Sequence, residues 1–170
     1  MPNESYLFRT ANTNEVQNLQ QLAMEAYWPY APLLSDEGRQ KLYTSLSQVS
    51  VFENLLQQST CFVCEHQGNL VGSAYLVSSG HPWDVFEADW AYIRMVGVLP
   101  AHSGKGIAKQ LTKLCVEEAK RNQEKILALH TSELMDAARH IYESLGFKKV
   151  REIPLRLGKR YWLYHLHLGD

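Results

Sequence analysis

A mixed β-sheet covered by helices on both faces, an α/β (α+β) fold in a single domain over residues 1–170, is what this chain predicts. Three observations lead there. Strand-like and helix-like runs follow one another as strand, two helices, three strands, helix, strand, helix, two strands. The segment Trp90–Leu129 is a strand–helix–strand unit, which requires a right-handed crossover and a parallel strand pair. The strand runs on either side of that unit are joined by short connections and pair antiparallel.

Tyr6–Arg9 reads as the first strand. Asn14 is placed to cap a helix running to about Tyr27, with Val16, Leu19, Leu22, Ala23 and Ala26 on one face. Tyr27-Trp28-Pro29-Tyr30 ends it, and Ser35 caps a second helix through Leu42, Leu46 and Val49 toward Leu56. Thr60–His66 and Leu70–Ser78 flank a Gly68-Asn69 turn and predict a hairpin. The loop His81–Asp89 leads to a strand over Trp90–Val98, closed by Pro100. Ile107, Leu111, Leu114, Cys115 and Ala119 keep helical spacing to about Asn122. Ile126–Leu129 is a short buried-type strand. Leu134–Leu145 is an amphipathic helix stopped by Gly146. Phe147–Ile153 and Tyr161–Leu168 close the sheet, with Gly158 in their connection.

With 45% hydrophobic and 21% charged residues the chain reads as globular and large enough to bury a core without staples. A formal net charge of -1 supplies no basic field for nucleic acid. The start MPNESYLFRT is not a secretory signal, and no run approaches a membrane span. Cys61, Cys64 and Cys115 cannot all pair within the chain. Cys61-x-x-Cys64 has redox-motif spacing, but on a strand that spacing sends the thiols to opposite faces. Free thiols imply a cytoplasmic protein.

The run Val96-Gly97-Val98-Leu99-Pro100-Ala101-His102-Ser103-Gly104-Lys105-Gly106-Ile107-Ala108 ends a strand and opens a helix. The first amides of a helix have no internal partner and carry its positive dipole end. Glycines let an anion approach them closely, and Lys105 and Lys109 add charge. The glycines by themselves serve equally as a softened strand-to-helix connection. The pattern is neither a P-loop nor the full dinucleotide fingerprint, since position 109 is Lys.

Val98-x-Pro100 followed by Ser103-Gly104-Lys105-Gly106-Ile107-Ala108 resembles the acyl-CoA-binding motif of the GNAT superfamily of N-acetyltransferases. Ala138-Arg139-His140-Ile141-Tyr142-Glu143-Ser144-Leu145-Gly146-Phe147 resembles that family's Ala-x-x-Leu-Tyr-x-x-x-Gly-Phe helix, in the right order and at a similar separation. The resemblance implies acetyl-CoA as acyl donor, held at its pyrophosphate by the backbone of Ser103, Gly104, Lys105, Gly106, Ile107 and Ala108. It implies that the backbone of Val96, Gly97 and Val98 receives the pantetheine arm and stabilises the carbonyl oxygen. It implies Tyr142 as general acid toward the thiolate; the residues alone favour Tyr142 as a partly buried structural neighbour of Ile141, Leu145 and Phe147.

Departures from the family pattern are Ser103 for Arg or Gln, Met135 for Asn, and Tyr92 where some members carry Glu. Glu87 and Asp89 are the candidate bases for the acceptor amine, and His102 and His130 also titrate near neutral pH. Arg139 is placed either to reach a phosphate or on a solvated face. Tyr27, Trp28, Tyr30, Trp83, Phe86 and Trp90 are candidates to frame the acceptor. No metal cluster is read from the histidines. A monomer or homodimer acting directly on a small-molecule amine, without a covalent enzyme intermediate, is the expectation. A non-catalytic acyl-CoA-binding domain and a protein N-terminal or lysine acetyltransferase are the alternatives.

Overall fold

The computed structural model describes residues 5–169. Its elements run β1 (Leu7–Thr10), α1 (Val16–Tyr27), α2 (Asp36–Ser47), α3 (Val49–Gln58), β2 (Ser59–His66), β3 (Asn69–Val77) and β4 (Ala91–Val98). After these come α4 (Ile107–Arg121), β5 (Ile126–Ser132), α5 (Asp136–Ser144), β6 (Lys148–Arg156) and β7 (Lys159–His167). The strands form one mixed sheet of seven in the order β1-β2-β3-β4-β5-β7-β6. Only β4 and β5 pair in parallel, as the crossover requires.

The predicted second helix is in fact two. Ser35 caps α2 by accepting from the Gly38 amide, as expected, but Gln48 turns extended and splits α2 from α3. The split lets Leu46 and Phe52 both reach the core. α1 begins after a 3-10 turn whose capping box joins Asn12 and Glu15, two residues before the expected Asn14 cap. The β2–β3 turn falls on Gln67-Gly68, both at positive φ, so Asn69 opens β3 instead of belonging to the turn.

Two apolar layers sandwich the sheet. On one face α4 lays Ile107, Leu111, Cys115 and Ala119, four residues apart, onto Val71, Ala74 and Leu127. Gly72 permits this approach, because a Cβ there would stand 2.9 Å from Ile107 Cγ2. On the other face α1 and α3 bring Leu19, Ala23, Phe52 and Leu55 onto Val63, Tyr75 and Val77. Cys64 lies in the first layer and Cys61 in the second, so the two thiols face apart.

Candidate functional site

The parallel pair is brief. β4 and β5 are in register only at Ala91–Leu127 and Tyr92–Ala128. Past Tyr92 the strands part, and the β5-facing backbone of β4 has no ladder partner. A bulge sharpens the break: Met95 has φ 55°, and the β3–β4 register shifts there. Because of the extra residue, Met95 packs toward the α1 layer, while Val96 and Val98 turn to the α4 layer. Gly97 then faces α1, where a Cβ would meet Ala26 Cβ and Tyr27 Cε2 at 3.2 Å. Tyr27 donates its hydroxyl to the Val96 carbonyl at 2.7 Å and ties α1 to this stretch. Gly97 therefore serves a close approach, and the bulge belongs to Met95.

Where β4 ends, Pro100–His102 make one 3-10 turn and the chain enters α4 through Gly104 and Gly106, with φ of 76° and 79°. Apart from each glycine and its chain neighbours, no atom of the described residues lies within 4 Å of where its Cβ would stand. The turn is open, and the leading amides of α4 have no partner within the helix. Ser103 points its hydroxyl back to the Pro100 carbonyl at 2.9 Å. Its side chain shapes the turn instead of offering a donor to an anion. Accordingly, Ser103→Ala is expected to leave the acetyl-CoA KM within about threefold of the parent, with at most about 1 kcal/mol lost in stability. Steady-state kinetics and a melting curve check both.

Tyr142 sits on α5, 7% exposed, in the α4 layer with Phe147 and Cys115. Burial raises its phenol well above the ordinary value, with smaller contributions from Cys115 and Tyr30. The phenol is thus protonated at neutral pH. Its hydroxyl makes no hydrogen bond among the described residues.

One cavity of about 800 Å³ joins these parts. It is lined by Ser103, Gly104, Gly106, Ile107 and Ala108, by Val96, Gly97 and Val98, and by Tyr142. Lys105 is not in the lining. Met135 lines it too, and its sulfur accepts from the Thr131 hydroxyl at 3.8 Å. Arg139 does not reach it; it pairs with Asp136 and stacks on Trp162.

At its other end the cavity meets Tyr27, Tyr30 and Trp83. The remaining aromatics are used elsewhere: Phe86 stacks on Tyr92 at 4.5 Å, Trp28 lies against Tyr43, and Trp90 against His165. Tyr92 donates to the His81 carbonyl and is a packing residue. Glu87 and Asp89 are exposed, and neither lines the cavity.

The carboxylate that does line it is Asp84, not singled out in the sequence. Asp84 is held at φ 54° and accepts from Arg156 at 2.5 Å. Its Oδ2 lies 3.4 Å from His130 Nε2, without hydrogen-bond geometry. His130 is packed against Phe86, and neither ring nitrogen has a hydrogen-bond partner. Burial lowers its pKa; the Asp84 charge opposes that shift, and Arg156 adds to it. No local signal marks Asp84 in the sequence, since Arg156 lies 72 residues away along the chain.

The thiols stand outside the cavity lining. Cys61, Cys64 and Cys115 are buried and free, and none lines the cavity. Burial pushes Cys61 up to about 12 and Cys64 to about 11. Among the described residues no three His, Cys, Asp or Glu gather to hold a metal, and no helix is long and apolar enough to cross a membrane.

A sheet parted beside an open glycine turn, with a protonated phenol lining the same cavity, is built on the acetyltransferase class of fold. The sequence profile of the acetyltransferase (GNAT) family matches residues 16–147, and the chain belongs to that family. Among solved structures it is similar to the PaiA N-acetyltransferase of Thermoplasma acidophilum in complex with coenzyme A. That match has a TM-score of 0.74 at 17% identity, covering 94% of this chain and 98% of the other. It is also similar to YncA of Salmonella typhimurium with acetyl-CoA, at TM-score 0.67 and 19% identity over 97% and 95% of the two chains. In sequence it is 32% identical over 89 residues to the Escherichia coli (strain K12) uncharacterized N-acetyltransferase YjgM, covering 52% of this chain and 51% of the relative. It is 30% identical over 111 residues to the N-acetylaspartate synthetase of Danio rerio, covering 65% and 37%. The match thus spans about half of the first relative's length and less of the second.

Proposed function

We propose that this chain transfers the acetyl group of acetyl-CoA to the primary amine of a small molecule, by direct attack with both substrates bound. The observation that carries the reading is the single cavity running from the open turn, past unpaired β4 backbone and Tyr142, to a polar and aromatic end. The donor fits the residues present. The amides over residues 103–108 suit a pyrophosphate, and the β5-facing side of Val96, Gly97 and Val98, without a ladder partner there, suits an extended arm. When bound, acetyl-CoA supplies the thioester carbonyl that the amine attacks.

The residues divide the proton work between the two ends. Free β4 amides stabilise the carbonyl oxygen as it gains charge. As the carbon–nitrogen bond forms and the carbon–sulfur bond breaks, Tyr142 gives its proton to the departing thiolate. The Asp84–His130 pair takes the amine's proton, both residues standing at the cavity wall 3.4 Å apart. Glu87 and Asp89 remain candidates only through intervening water, because they stand outside the lining. Buried, weakly acidic thiols off the cavity support direct transfer over an acyl-cysteine route.

A small acceptor is supported by the roof over the polar end. The β6–β7 turn at Leu157-Gly158 reaches α2, where a Cβ on Gly38 would stand 3.0 Å from the Leu157 carbonyl oxygen. The lining includes Leu42 and Leu46 of α2 as well as Leu157. A peptide would need that end open.

The test is acetyl-CoA-dependent thiol release over a panel of small amines, read with thermal stabilisation by acetyl-CoA. Stabilisation and turnover are expected; a protein that acetyl-CoA does not stabilise would remove the reading. The same assay carries a pH signature. His130 must be neutral to accept a proton, and burial lowers its pKa below the ordinary 6.5. The kcat/KM therefore holds above that value and falls on the acid side, and His130→Gln lowers the plateau and removes that limb. Folding stability has the same sign: below 6.5 the unfolded histidine binds a proton that the folded one resists, so stability falls with pH.

A further inference from the structure

Arg94 is a charge that the fold leaves unanswered. It is half-buried on β4, directly before the Met95 bulge, and it lines the acceptor end of the cavity. Its guanidinium carbon stands 3.8 Å from the centroid of the Trp83 ring. A guanidinium held over an aromatic face by its carbon still has its N–H groups to offer to a second partner. Those groups make no hydrogen bond and no ion pair among the described residues. Asp84 is near enough for its charge to be felt, but Arg156 holds it at 2.5 Å and His130 Nε2 lies 3.4 Å away. Lys159 lines the same cavity. This end thus carries Arg94, Arg156 and Lys159 against one carboxylate.

A guanidinium cannot shed its proton to escape burial. A fixed, partly desolvated fork without a protein counter-ion is matched by a planar anion from the ligand, and a carboxylate fits it with two parallel hydrogen bonds.

We propose that the acceptor is an amine that also carries a carboxylate, and that Arg94, stacked on Trp83 in the acceptor end of the cavity, binds that carboxylate. The inference rests on the acetyl-transfer reading above and names its substrate class. Arg94 holds the acid group, and the Asp84 carboxylate faces the amine. Met95, in the left-handed region at the bulge, follows Arg94 directly.

The experiment uses the full chain, saturating acetyl-CoA, and amino acids each paired with its own carboxamide. Thiol release is measured for both members, and the shift in Tm with coenzyme A present is read for the same pairs. The parent is expected to favour the acid by about 100-fold in kcat/KM, on the scale of losing one partner of a buried charge pair. Arg94→Gln brings the acid down to the level of its carboxamide and leaves the carboxamide little changed, with Arg94→Lys between them. A merely structural arginine would lower both members together. Equal use or equal binding of acid and carboxamide by the parent overturns the proposal. So does a parallel loss of both in Arg94→Gln, or turnover confined to amines without a carboxylate. Acetyl-CoA stabilisation in Arg94→Gln separates the two levels. If it persists while discrimination is lost, the proposal stands; if the parent itself shows neither stabilisation nor turnover with any amine, the transferase reading fails and takes this proposal with it.

Discussion

Tyr142→Phe is expected to lower kcat by about 10²–10⁴-fold, the range a positioned general acid contributes. The change removes one oxygen from a side chain whose ring is otherwise core. Tyr142 is 7% exposed and packs with Phe147 at 6.0 Å between ring centroids. Its hydroxyl has no hydrogen-bond partner among the described residues, so the fold loses no bond when it goes. The Tm is expected to stay within about 2 °C of the parent. The acetyl-CoA KM is also expected to hold, because the anion turn of residues 103–108 is untouched. A split of this kind, kcat down with KM and Tm kept, marks a group used in the transition state. An unchanged kcat on a genuine acceptor would end the assignment and favour a domain that binds acyl-CoA without using it.

The second large effect is expected from Gly106→Val. Gly106 sits at φ 79° as the residue that opens α4. An L-residue in that region costs roughly 1–2 kcal/mol, and a β-branched one is a genuine outlier there. The strain cannot be passed down the helix, because Ile107 and Leu111 are pinned against Gly72. The turn must move instead, and with it the amides proposed to hold the phosphates. An added side chain would also enter the open space over the turn. The acetyl-CoA KM is expected to rise tenfold or more, about 1.4 kcal/mol of lost binding. Gly68→Val is the control. Gly68 has φ 81° and equally open surroundings, but it lies in the β2–β3 turn. It is expected to lose similar stability and to keep the acetyl-CoA affinity. Equal losses of affinity in both variants would show that general destabilisation, not the turn, is responsible.

Much of this molecule was readable residue by residue. The mixed sheet with one parallel crossover followed from the Trp90–Leu129 unit. The opposite facing of Cys61 and Cys64 followed from strand periodicity. Elsewhere the reading stopped where local signals stopped. Gln48 breaks a helix without Pro or Gly, because Leu46 and Phe52 are both drawn into the core. The bulge falls on Met95, which has none of the usual marks, while the glycine beside it is demanded by Tyr27 on another element. Among the carboxylates of the loop before β4, position in the chain favoured Glu87 and Asp89. The loop itself turns them out: Trp83 and Phe86 bridge each other, and the Gly80 amide donates to the Ala88 carbonyl. The same loop sets the Asp84 side chain against Arg156 and His130.

The sequence, unaided, carried the glycine turn before α4 and the Tyr142 helix, since a left-handed glycine and an amphipathic repeat are written within a few consecutive residues. The polar end of the cavity was decided only in three dimensions. Asp84, Arg94, His130 and Arg156 come from a loop and three different strands, and no spacing along the chain relates them. Their charges acquire roles only when burial raises the penalty for leaving any one unmatched, and that burial is a property of the packed whole.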